Sequence, residues 1–464
     1  MMSLKNIDVC RITGSFRDPS GFIFLHDGSI FRQINKVYES HYEQLMQSGL
    51  YKRLTNEGLL ISHRETDIRT ENPDAYKIIR PESVPFISYP YEWCFSQIKS
   101  AAKATLRIQQ LALQYSMTLK DASAYNIQFL KGKPILIDTL SFERYQEGSP
   151  WVAYRQFCQH FLAPIALMSM TDERLNQLAR IYIDGIPLDM TSGLLTWRSW
   201  FRFGILSHIH LHAKSQGYFG DKQLKGYGNR VSKRALEGII DNLETTISHI
   251  KWRPEGTEWG DYYEDTNYSN DGLQHKREAV SDFLDEVSPE TVWDLGANEG
   301  VFSRLASEKG IRTVAFDIDP AAVEKNYLRC LKDGDKNLLP LLMDLTNPSS
   351  GIGWANDERL TLKQRGPAHT VIALALIHHL VISNNVPFCK LAAFFSGICS
   401  CLIIEFVPKT DSQVNRLLRT RKDIFTDYTQ ERFEDEFNLL FAIRRAIKIK
   451  GSQRILYLMV RKGA

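Results

Sequence analysis

The stretch Val292–Ala306, VWDLGANEGVFSRLA, decides how the C-terminal half of the chain is read. The apolar run Thr291–Leu295 is predicted to be a buried strand that delivers Asp294 near its end. Gly296 and Gly300 follow at G-x-x-x-G spacing, and a helix is predicted from Gly300 to Gly310. Glycine suits places where backbone comes close to a ligand or takes a positive φ. The unpaired N–H groups at the start of the helix suit a carboxylate. The spacing is not G-x-G-x-x-G, which counts against a nicotinamide dinucleotide.

Working outward, apolar strands alternate with helices. A helix is predicted over His275–Val287 and another over Pro320–Lys332. Strands are predicted at Arg312–Phe316, Leu338–Met343, Thr370–Leu376 and Cys401–Phe406. A helix near Glu431–Phe437 precedes two final strands, Ala442–Lys448 and Arg454–Arg461, close enough in sequence to form an antiparallel hairpin. The alternation implies a doubly wound α/β sheet, Rossmann-like and seven-stranded, with an antiparallel strand at one end.

Three acids follow three successive strands. Asp317 lies 23 residues after Asp294, at the end of the second strand, where an acid can accept bonds from ribose hydroxyls. Asp319 shares that role or caps the helix that Pro320 opens. Asp344, after the third strand, is placed for an adenine amine, and Asp294 for an amino group. Together with Gly296, Asn298 and Gly300 these acids fit S-adenosylmethionine (SAM) as cofactor. Ligands of such sheets bind at the carboxyl edge, at the switch point.

At this point a resemblance is plain. Val292–Ala306 resembles the first motif of class I SAM-dependent methyltransferases. The stretch NPSSGIGWANDERLTLKQRGPAHTVIALALIHHL, from Asn347, with the following NNVPF, is similar to the NoeA-type nodulation methyltransferase-like family. The resemblance covers nearly the whole chain and implies methyl transfer from SAM. It also implies that the segment before the first strand folds over the cofactor. Tyr263 is then a cofactor contact, and Lys276 meets the SAM carboxylate or stays an exposed helix lysine.

Methyl transfer needs an oriented nucleophile, in some cases its deprotonation, and exclusion of water. His378 and His379 fall just past the fourth strand. Either can act as general base or orient a hydroxyl; the alternative is a pair packed beneath the cofactor. Asn384 and Asn385 form a turn or touch substrate. Trp354–Arg359 is a lid at the active-site edge or a surface helix. Glu405 binds substrate or caps the loop before Pro408.

The N-terminal half carries a second pattern, LKDASAYNIQFLKGKPILIDTLSFE, from Leu119 to Glu143. Asp121, Asn126 and Asp138 resemble the catalytic loop and metal-binding acid of protein-kinase-like folds. By that resemblance Asp121 orients an acceptor hydroxyl, while Asn126 and Asp138 hold magnesium. Several departures point to a degenerate domain used for substrate or carrier recognition. Leu119-Lys120 replaces His-Arg, no glycine follows Asp138, and the Gly-rich loop and V-A-I-K strand are missing. The hairpin Gly21–Ile34 is a stripped N-lobe in this reading, with Arg32 in place of the absent lysine. A kinase-like α+β domain is thus expected over 1–250, a connecting segment over 251–272 and the methyltransferase domain over 273–464.

Bulk composition agrees with a soluble globular chain. The 464 residues are 43% hydrophobic and 24% charged, with a net charge of only +3, so a dedicated nucleic-acid binder is not expected. The Asn-Pro-Pro-Tyr-type motif of amino-methylating nucleic-acid enzymes is missing after the fourth strand. The seven scattered cysteines lack metal-ligand spacing, and no metal site is expected. Residues 1–17 lack an apolar leader, and no run is long enough to span a bilayer. A cytoplasmic enzyme is expected, acting on a small-molecule, glycan or carrier-bound acceptor.

Overall fold

The computed structural model describes residues 10–214, 230–254, 269–419 and 422–463. These fall into two units. One holds the described residues up to Trp252 together with Gly351–Arg359. The other holds those from Arg253 to Ser350 and from Leu360 onward.

The first unit is α+β, as expected. Strands β1 (Cys10–Arg11), β2 (Gly21–His26), β3 (Ser29–Asn35), β4 (His63–Glu65) and β5 (Ala75–Pro81) form one antiparallel sheet in the order β1-β2-β3-β5-β4. Asp27 and Gly28 turn β2 into β3 with φ of 48° and 68°. Two positive φ values in a two-residue loop give the type I′ twist that matches a hairpin. Helices at Glu39–Gln47 and Leu50–Asn56 lie between β3 and β4 in sequence, and Tyr38, Tyr42, Ile34 and Ile79 pack in one core cluster.

The rest of this unit is built round the helix Phe95–Gln114, whose buried face runs from Phe95 to Leu113. Two short ribbons follow. Strand β6 (Met117–Leu119) pairs with β9 (Phe142–Arg144), and β7 (Ile127–Leu130) with β8 (Lys133–Leu136). Apolar helical turns over Tyr154–Met170 and Phe203–Leu211 complete it, each with a π-helical stretch.

The second unit is the Rossmann-like seven-stranded sheet read from the sequence. Its strands are β10 (Thr291–Leu295), β11 (Arg312–Asp317), β12 (Leu338–Leu342), β13 (Ala368–Ala373), β14 (Cys399–Phe406), β15 (Phe441–Lys448) and β16 (Ile455–Arg461). Their order is β12-β11-β10-β13-β14-β16-β15, parallel except that β16 runs antiparallel to β14 and β15. The chain steps from β10 through β11 to β12, then returns to place β13 on the other side of β10. The crevice at that reversal is where a doubly wound sheet holds its ligand. Val292, Ile372, Ile403, Leu456, Phe283 and Phe302 share one core cluster.

Three element boundaries depart from expectation for local reasons. The helix before β10 spans Asn270–Val287, because the Ser269 hydroxyl caps it by accepting the Gly272 N–H at 3.1 Å. The helix after β10 is only Ser303–Ser307, because Asn298 and Gly300 take positive φ (49° and 76°) and delay it. Strand β13 stops at Ala373, because Ala375 turns to a φ of 50° and sends its N–H to Glu405 at 2.8 Å.

Candidate functional site

The carboxyl ends of β10, β11, β12 and β13 open onto a cavity of about 330 Å³. Eight of the residues singled out in the sequence line it: Lys276, Asp294, Gly296, Asn298, Asp317, Asp344, His379 and Asn384. Three others do not. Gly300 backs onto the helix Pro320–Asp333, where a Cβ would stand 2.5 Å from the Asn326 side chain. The Asp319 carboxylate caps the helix Pro320–Asp333, accepting N–H bonds from Ala321 and Ala322 at 2.8 and 3.2 Å. His378 is buried beside His379, with ring centroids 4.2 Å apart, but is not part of the wall. Tyr263 lies outside the described residues.

The glycines earn their positions differently. Gly296 has a φ of 75° and sits on the wall, with Leu376 packed 3.2 Å from where a Cβ would be. Gly300 serves helix packing rather than the cavity.

Two carboxylates dominate the electrostatics. Asp294 accepts the Ser303 hydroxyl at 2.6 Å, and Asp317 accepts the N–H groups of Asn298 at 2.7 Å and Asp319 at 2.9 Å. Burial pushes Asp294 up to about 7 and Asp317 up to about 6, overriding those hydrogen bonds. Asp317, a nearby like charge, adds to the rise at Asp294, and Asp319 does the same for Asp317. Such a pair favours a ligand that brings donors or positive charge. Asp344, half-buried at the rim, accepts the backbone N–H and hydroxyl of Thr346 at 2.8 and 2.6 Å.

Opposite them, a buried ion pair braces the wall. Lys276 Nζ lies 2.7 Å from Glu405 Oε2, and the same oxygen accepts the Ala375 N–H. Lys276 is thus not an exposed helix lysine. It joins the helix before β10 to the end of β14, with Phe302 4.9 Å beneath its ammonium. Sequence reading had placed both residues at this edge but had no signal for their pairing, which depends on strand register. It also missed Ser303, Ile318, Met343, Leu376 and Leu380, which line or support the cavity.

His379 is a neutral imidazole at physiological pH, because burial drives it down to about 4. His378 is likewise driven well down, by burial first and by His379 second. Asn384 lines the cavity and donates to the His379 carbonyl at 3.1 Å, while Asn385 takes a φ of 57° and makes the turn.

In the first unit Asp121, Asn126 and Asp138 do converge. Asn126 Nδ2 donates to Asp121 at 3.0 Å, and Ser141 Oγ stands 3.5 Å from Asn126 and 2.9 Å from Asp138. Yet both carboxylates are saturated from within. Asp121 also accepts the Ser123 N–H and the Gln156 amide, and burial is the main influence raising its pKa. Asp138 accepts the Leu140 N–H at 2.8 Å and pairs with Arg32 Nη1 at 2.5 Å. The residues do not fit a magnesium ion, because its ligand oxygens are already held by a guanidinium, an N–H and a hydroxyl.

The stretch Gly351–Arg359 belongs to the first unit and carries one exposed turn of 3-10 helix, Trp354–Asn356. Arg17 grips Glu358 through Nε and Nη2 at 3.0 and 2.7 Å, Ile352 packs against a cluster of tyrosines, and the Arg359 guanidinium lies 4.6 Å from the Tyr125 ring.

No family model matches the chain. Nodulation protein NoeA of Rhizobium meliloti (strain 1021) is 34% identical to it over 456 residues, 96% of this chain and 95% of that protein. The chain belongs to the NoeA family. Among solved structures, magnesium protoporphyrin IX methyltransferase from Synechocystis PCC 6803 with bound SAH overlaps 44% of this NoeA-family chain and 93% of its own. The identity there is 18% and the TM-score 0.31. WbdD in complex with a kinase inhibitor overlaps 43% of each chain at 14% identity and a TM-score of 0.30. At these scores neither similarity bears on ligand or substrate.

Proposed function

We propose that the second unit binds SAM in the cavity and transfers its methyl group to a small-molecule, glycan or carrier-bound acceptor. One observation carries this reading. Asp294, Asp317 and Asp344, from the ends of three neighbouring strands, line one cavity with the Gly296 turn. Asp317 would accept the ribose hydroxyls, and Asp344 the adenine amine. Asp294 would meet the amino group of the methionine part. Ile318, Met343 and Leu380 offer apolar wall for the base. When bound, SAM supplies an electrophilic sulfonium methyl.

The chain's own contribution is positioning and desolvation. A histidine at about 4 is a weak proton acceptor at neutral pH, so His379 is assigned to orienting the acceptor by a hydrogen bond. His378, buried behind it, fixes that ring. Lys276 and Glu405 keep the β13 end and the helix before β10 in register, with Lys276 available to a ligand carboxylate at the wall.

The first unit is assigned to acceptor or carrier recognition without phosphoryl transfer. The Arg32–Asp138 pair supports this, since it takes the carboxylate a nucleotide-bound metal would need. Radiolabelled SAM incubated with fractionated extract tests the whole reading. A labelled product is expected with the wild-type chain and not with Asp317→Ala. Label transferred equally by both would refute the site assignment, and no transfer to any fraction would leave a SAM-binding protein without catalysis.

A further inference from the structure

The stretch Leu195–Lys214 of the first unit, LTWRSWFRFGILSHIHLHAK, is used by neither site above. It begins with a single turn of 3-10 helix, Trp197–Phe201. That turn is held rigidly from below. Ser199 donates to the Thr196 carbonyl at 2.6 Å. His210 is buried, with Ser192 Oγ 2.7 Å from Nδ1 and Ser199 Oγ 2.8 Å from Nε2. The Trp200 ring stacks on His210 at 4.1 Å and 8°. At Gly204 a Cβ would strike the Thr246 side chain at 1.9 Å, so close packing there fixes where the next helix starts.

The consequence is that large apolar side chains are pushed outward by a stiff support. Trp197 is 69% exposed, Phe201 80% and Phe203 72%. Side chains this exposed are knobs, not the walls of a groove. Arg198, Arg202 and Lys214 are exposed among them. The ring contacts of two are with this same turn: Arg198 lies 5.8 Å from the Trp197 ring, and Lys214 4.8 Å from that of Trp200. No acidic residue occurs in the sequence between Asp189 and Asp221.

A cluster of exposed large apolar side chains marks an interaction surface. Trp and Phe protruding beside Arg and Lys suit the boundary between lipid headgroups and acyl chains, where aromatic rings partition and cations meet anionic phosphates. We propose that this aromatic–basic turn docks the chain onto an anionic membrane surface, lying on it rather than spanning it. The proposal is independent of the SAM reading.

Vesicle co-sedimentation with the full chain tests it, using phosphatidylcholine alone and phosphatidylcholine with about 30% phosphatidylglycerol. Binding to the anionic vesicles only is expected, with a blue shift in tryptophan emission and loss in high salt. Arg198→Glu/Arg202→Glu should lower partitioning by roughly tenfold or more. Phe201→Ser/Phe203→Ser should do the same while melting with the wild type, as these side chains carry little packing. Equal partitioning onto both vesicle types, none onto either, or undiminished binding by both variants would overturn the proposal. So would a wild-type dimer in light scattering that Phe201→Ser/Phe203→Ser dissociates without any vesicle binding, which would make the turn a contact between copies.

Discussion

Each unit gathers carboxylates at the ends of strands, yet the two clusters are wired in opposite ways. In the first unit the Asp121 and Asp138 oxygens are consumed by Asn126, Gln156, Ser141, Arg32 and backbone N–H groups. In the second, Asp294 and Asp317 face a cavity, and burial holds them up near 7 and 6. A carboxylate that lines a cavity and that burial holds up near neutrality favours a ligand that brings donors. A carboxylate saturated from within is structural. The difference separates a binding site from the outline of one, although the sequence shows acids at suggestive spacing in both.

The largest expected effect tests the second cluster. Asp317→Ala removes an acceptor of two ribose hydroxyls, each worth about 1.5–3 kcal/mol to a charged group, so SAM affinity should fall by about 100-fold or more in calorimetry. Asp121→Ala should leave that affinity within about twofold. Equal losses would erase the distinction between the clusters.

Next is the ion pair of the first unit. Arg32→Met strands the Asp138 carboxylate in a largely buried place, and unfolding free energy should drop by about 2–3 kcal/mol in chemical denaturation. Adding Asp138→Asn should recover part of the loss, because the stranded charge is gone. Strictly additive losses would show that Arg32 and Asp138 are not coupled.

The pH dependence sharpens the contrast further. Folded Asp294 and Asp317 hold protons more tightly than the unfolded chain does. Their contribution to folding stability is therefore fully present at acid pH, below the unfolded carboxylate pKa. It is lost as pH rises through about 6 to about 7. SAM needs the ionised acceptors, so its affinity should run the other way. It should rise by roughly tenfold or more between about pH 5.5 and 7.5 and then level off. Proton release on binding, read from calorimetry in buffers of different ionisation enthalpy, checks the sign. Affinity that falls over this window would place the ligand elsewhere.

The smallest effect belongs to Asp344. It is half exposed and already bonded to Thr346, so Asp344→Ala should weaken SAM by only about fivefold. A loss matching that of Asp317→Ala would show the adenine end to be as demanding as the ribose end.

Much of the second unit was legible in the sequence, because its signals are local. A buried strand, two glycines and an acid at each of three strand ends are each decided within a few residues of chain. The doubly wound class followed from alternation, and the hairpin of β15 and β16 from their nearness in sequence, whereas the strand order is known only from the fold. What stayed hidden depends on register or on distant partners. Lys276 and Glu405 are 129 positions apart and meet because the helix before β10 packs against β14. Asp319 and Asp317 look alike in AFDIDP, and only backbone geometry makes one a helix cap and the other a cavity wall. The segment Gly351–Arg359 was read as part of the domain that surrounds it in sequence. Its anchor, Arg17, lies 341 positions from Glu358. In the first unit Asp121, Asn126 and Asp138 stand out by spacing, but the saturation that changes their meaning needs the fold, which brings Gln156 to Asp121 and Arg32 of β3 to Asp138.

The central claim is that the cavity of the second unit, and not the acid cluster of the first, holds a nucleoside. Calorimetric titration of the full chain with SAM, alone and in saturating magnesium-ATP, tests it most directly. The expected result is a single SAM site per chain, of micromolar affinity and unmoved by magnesium-ATP, with no heat of binding from magnesium-ATP itself. No heat with SAM, or a magnesium-ATP site abolished by Asp138→Ala, would contradict it.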